Sequence, residues 1–80
     1  MQENKTIYIK LLNEGVDVWR PTKGILVKEH IYKLLPTADY DPNQETWEYL
    51  PGSIVRCGIQ KHKNNENIFE EMLVAVAQAE

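Results

Sequence analysis

The chain of 80 residues contains a single cysteine, Cys57, so it can form no intrachain disulfide, and there is no cysteine framework to read. Two histidines, His30 and His62, are its only imidazoles, which leaves little material for general-base chemistry. No apolar run approaches the roughly 20 residues that a membrane-spanning helix requires. The first residues, MQENKT, are polar and lack the charged and apolar blocks of a secretory signal, so the expected location is the cytoplasm. There is no basic excess either. Nine Lys and Arg stand against 12 Asp and Glu, giving a net charge of −3. That balance provides no broad positive field for nonspecific nucleic-acid binding and none for an anionic membrane surface.

What is present is a 42% hydrophobic chain long enough for one domain, spanning residues 1–80 with 1–5 expected to fray. A domain of this size buries only roughly 60% of its unfolded surface, so its core is modest and a surface groove or sheet edge is the expected place for binding. Period-two alternation dominates. Ile7, Ile9 and Leu11 share one face of Thr6–Leu12, with Tyr8 and Lys10 on the other, as in a strand with one face in a core. Asn13-Glu14-Gly15 is a turn. Val16 to Arg20 alternates again, with Val16 and Val18 opposite Asp17 and Trp19, and Pro21 is expected to end the central part of this second strand.

Gly24 follows as a flexible point before an extended Ile25–Lys28. Glu29-His30 is a tight reversal leading into Ile31–Leu35. Thr37–Glu45 is the longest polar loop, with Pro42 at the first central position of a turn. The richest stretch is Trp47–Cys57, where two aromatics lead into a Pro51-Gly52 turn and a β-branched pair, Ile54-Val55, with extension to about Lys61. Ile68–Glu80 is ambiguous. Ile68, Phe69, Met72, Leu73, Val76 and Ala77 recur at helical spacing, whereas Val74 and Val76 alternate as in a closing strand. Periodicity alone leans to helix there. Short strands between turn signals imply a small barrel or a strongly bent sheet.

Several blocks together resemble a family of small uncharacterised bacterial proteins. Leu11-Leu12-Asn13-Glu14-Gly15, Val18-Trp19-Arg20-Pro21, Trp47-Glu48-Tyr49, Pro51-Gly52 and Leu73-Val74-Ala75-Val76 are the matching pieces, with Tyr49 where Phe is more usual. The resemblance spans most of the chain. It implies an SH3-like barrel and a closing strand at the C-terminus, and it brings no assigned activity.

Cys57 as a nucleophile needs an adjacent base and a lowered pKa. Its alternation partners, Val55 and Ile59, make it a small buried hydrophobe instead. His30, Cys57 and His62 as a metal set fail on spacing, since Cys57 and His62 lie five apart on a strand and face opposite ways. Asp39, Asp41, Asn43 and Glu45 imitate the start of a calcium loop, but Gln44 and Leu50 occupy the positions that need Gly and Glu. The lysines are scattered, and Glu66, Glu70, Glu71 and Glu80 form a solvated acidic end.

Aromatics and arginine are the better binding material, because they bury large rigid area and donate directionally. The expected core takes Trp47 or Tyr49, and Trp19, Arg20 and Tyr40 are the expected partner-binding residues. The resulting expectation is an all-β, SH3-like barrel of five to six short antiparallel strands, with room for one helical turn near Ile68–Glu71. It is a non-enzymatic binding module in a bacterial cytoplasm, without cofactor or metal. It docks a protein or peptide and is a monomer or a weak homodimer through a strand edge. The alternatives are an RNA-binding barrel and, behind that, a metal-binding or catalytic protein using Cys57.

Overall fold

The computed structural model describes residues 4–63 and 65–79. It contains six strands: β1 Asn4–Leu12, β2 Val18–Lys28, β3 Ile31–Leu34, β4 Thr46–Trp47, β5 Ile54–Lys63 and β6 Phe69–Gln78. The sheet runs β2-β3-β5-β6-β1-β4 and closes on itself through β1–β2, so the small all-β barrel expected from the alternation is present. One contact around the ring, Tyr8 of β1 beside Val74 of β6, is parallel rather than another antiparallel step. Parity dictates this. The ring has five members (β1, β2, β3, β5 and β6), and four antiparallel steps bring the last strand round pointing the same way as the first.

Ile7, Ile9 and Leu11 all point into the core, as their spacing requires, and meet Tyr32, Leu34, Trp47, Val55, Cys57 and Ala75 there. Trp47 is the largest of the fully buried side chains, only 2% exposed. The tight reversal at Glu29-His30 joins β2 to β3, and His30 takes a positive φ of 64° to make it. The Pro51-Gly52 turn is closed by the Ser53 amide donating to the Leu50 carbonyl at 3.1 Å, with Gly52 at φ 90°. That is the arrangement in which glycine is favoured at the second central position. Pro42 likewise sits at the first central position of a turn, closed by Gln44 N to Asp41 O at 2.9 Å.

Five expectations need correction. Pro21 does not end β2, which runs on to Lys28. Pro21 lies opposite Tyr8 of β1, and the pairing with β3 starts only at Gly24, so no β3 residue requires the missing N–H. Gly24 is not a flexible point but an interior strand position, where a Cβ would lie 2.2 Å from Ile7 Cδ1. Val16 belongs to the connection after β1 and is 74% exposed, so it shares no buried face with Val18. The segment leaned toward helix by its periodicity is strand β6 from Phe69 onward, with no helical turn at Ile68–Glu71. Asn4 and Lys5 are paired within β1 rather than frayed, whereas Met1–Glu3 lie outside the described residues, as does Glu80 of the acidic end.

Candidate functional site

Arg20 and Tyr40 are brought to one network. Arg20 projects from β2 toward the Thr37–Glu45 loop, where its Nη2 donates to Asp39 Oδ1 at 2.5 Å. Its Nε lies 3.4 Å from Glu45 Oε1, an ion pair without hydrogen-bond geometry, which leaves this buried nitrogen unsatisfied. Glu45 Oε1 also accepts from the Trp47 indole Nε1 at 2.8 Å. The Tyr40 ring stands edge-on to Trp47 with centroids 5.0 Å apart. The Asp39 hydrogen bond raises the Arg20 pKa, and the same bond holds the Asp39 carboxyl below its usual value. Arg20 thus fastens the long loop to the barrel, and Tyr40 covers the core tryptophan.

The remaining acidic loop residue is engaged as well. Asp41 Oδ1 accepts from the Asn43 amide at 2.9 Å. The calcium-like spacing of Asp39, Asp41, Asn43 and Glu45 is therefore tied up in internal bonds.

Trp19 leaves β2 on the other side from Arg20, as adjacent strand residues must. Its half-buried ring meets His62 of β5 edge-to-face at 5.2 Å. His62 Nε2 is in turn 3.0 Å from Gln60 Oε1. Trp19, Arg20 and Tyr40 therefore do not line one groove: two of them serve the loop, and the third anchors the far part of β5. A shallow groove of about 430 Å³ does open near this region, between Thr6, Pro21, Lys23, Pro36, Thr37 and Ala38.

Cys57 lies in the core, and burial pushes its thiol from 9.0 up to about 11. His30 sits on the β2–β3 turn, where its carbonyl accepts from the Cys57 amide at 2.8 Å. Among the described residues no group of three His, Cys, Asp or Glu side chains is placed to hold a metal ion.

The surface that the sequence did not single out is the outer half of the β5–β6 hairpin. β3 pairs with β5 only at Ile54–Arg56, whereas β6 accompanies β5 as far as Lys63. Beyond Cys57, among the described residues, no strand is paired with the other flank of β5. Ile59, Lys61 and Lys63 lie opposite Leu73, Glu71 and Phe69, and cross-strand partners share a face. On that face Ile59 is 61% and Phe69 64% exposed, and Lys63 Nζ stands 5.6 Å over the Phe69 ring. A signal was available in the period-two spacing of Ile59, Lys61 and Lys63 after Gly58, but the ambiguous reading of β6 hid its partner strand.

No family model, curated protein or solved structure matches this chain.

Proposed function

We propose that this barrel is a non-enzymatic interaction module that presents the outer half of the β5–β6 hairpin to a protein or peptide partner. The observation that carries the reading is the exposure of Ile59 and Phe69 on one face of a strand pair whose outer flank is unpaired among the described residues. Apolar side chains beside an open row of backbone groups favour a partner that supplies both packing and main-chain hydrogen bonds. Trp19 supports this surface from behind, through His62, rather than forming a groove with Arg20 and Tyr40. The thiol of Cys57, buried and proton-retaining, suits a packing role rather than a nucleophile. We assign the module to a bacterial cytoplasm, a reducing compartment that a lone thiol tolerates. No helix of the described residues is long and apolar enough to cross a membrane.

The test is retention of host proteins on the immobilised chain, compared with an Ile59→Ser/Phe69→Ser variant. Both positions are exposed, so the variant is expected to keep its melting temperature within a few degrees while losing the retained partner. Retention that is identical for the two proteins would refute this surface.

A further inference from the structure

We propose, building on the reading above, that the open flank of β5 takes up an extended acidic segment of a partner protein as an added strand, pairing with Ile59, Lys61 and Lys63.

The backbone of β5 sets the direction of its donors. The Cys57 amide points toward β3, because it donates to the His30 carbonyl at 2.8 Å. Alternation turns the amides of Ile59, Lys61 and Lys63 toward the same flank. Past the Glu29-His30 turn, among the described residues, no strand pairs with that flank, which leaves these donors and the carbonyls between them open to an added strand. A row of three such amides matches a partner strand of about six residues, each rising roughly 3.3 Å.

Charge sets the preference of that flank. In a chain of net charge −3, β5 carries Arg56, Lys61 and Lys63 and no carboxylate. Glu71 faces Lys61 from β6, on the side already paired, and Phe69 underlies Lys63. On the open side the nearest turn offers Glu29, whose carboxylate lies 3.2 Å from His30 Nε2. An incoming strand therefore runs alongside Lys61 and Lys63. Edge lysines oppose self-pairing, because two copies laid antiparallel about Lys61 would set like charges opposite each other. The same charges attract a strand with acids opposite Lys61 and Lys63 and an apolar residue beside Ile59. A nucleic-acid strand fits less well, because it cannot use the open amides in a ladder.

The experiment uses the full chain and three probes: a capped seven-residue peptide of alternating valine and glutamate, its valine-lysine counterpart, and a ten-nucleotide single-stranded oligouridine. Residue-resolved amide exchange and titration at low salt are the readouts. The acidic peptide is expected to protect the amides of Ile59, Lys61 and Lys63 and to bind at least about tenfold more tightly than the lysine peptide. A Lys61→Glu/Lys63→Glu variant, altered only at exposed side chains, is expected to reverse that preference while retaining its exchange pattern in β1. Equal binding of both peptides, or no protection at these amides, would overturn the proposal. Protection of the same amides by oligouridine alone would replace it with a nucleic-acid site. The two proposals fail separately: a host partner that is lost with Ile59→Ser/Phe69→Ser but kept by Lys61→Glu/Lys63→Glu leaves the interaction surface standing and removes the acidic strand.

Discussion

At the scale of single residues, burial decides what each side chain does. Trp47 is fully enclosed, its indole nitrogen is satisfied by Glu45, and its ring is braced by Tyr40. Trp47→Ala is therefore expected to cost about 3–5 kcal/mol, read by urea unfolding, because the cavity cannot refill from a core this small. Gly24→Ala is expected to cost about 1–3 kcal/mol in the same assay, because a Cβ there would press on Ile7 and come within 3.3 Å of Tyr32 Cβ. Cys57 makes a pH prediction. Its folded pKa, about 11, lies above the ordinary 9.0, so the native state holds the proton more tightly than the unfolded state does. That contribution to stability is complete below pH 9 and is lost as pH rises through 11. A thiol-directed reagent at pH 8 should thus react with the unfolded chain and scarcely with the native one.

At the scale of elements, the β5–β6 hairpin divides into two halves of different character. The half from Ile54 to Cys57 is flanked on both sides, by β3 with the His30 carbonyl and by β6. Among the described residues, the outer half from Gly58 to Lys63 is flanked by a paired strand on one side only. Hydrogen exchange should report the difference directly, with the amides of Ile59, Lys61 and Lys63 exchanging far faster than those of Ile7 and Ile9 in the doubly flanked β1. Equal protection would mean that the flank is covered. The Thr37–Glu45 loop is held by charge, and it is expected to loosen in acid. Because its bond to Arg20 depresses the Asp39 pKa, the stability it contributes is present above its ordinary value of 3.8 and fades as pH falls below that. The fluorescence of Trp47, packed against Tyr40 of that loop, would follow the change.

At the scale of the whole molecule, the first strand pairs with the last, and the barrel closes only when Tyr8 meets Val74. Contacts between strands so distant in sequence must wait for loop closure, which makes folding slow for a chain of this length, in the range of milliseconds to seconds. Stopped-flow refolding that finishes in microseconds would contradict this closed ring.

Much of this was legible beforehand. The inward set Ile7, Ile9 and Leu11, the turn at Pro51-Gly52 and the reversal at Glu29-His30 follow from local rules, because side-chain alternation and turn dihedrals depend only on near neighbours. Trp47 as the core aromatic was one of two candidates for the same reason. Passage of β2 through Pro21, the strand form of Phe69–Gln78 and the separation of Trp19 from Arg20 and Tyr40 depend on which strands lie alongside. Residues 68–77 satisfy helical and strand periods alike, and only the ladder offered by β5 selects one of them. The sequence by itself determined the inward face of β1, the turns at Glu29-His30 and Pro51-Gly52, and Trp47 as a candidate for the core. Tertiary structure alone decided which flank of β5 stays open, since an edge exists only in relation to the neighbours a strand does not have.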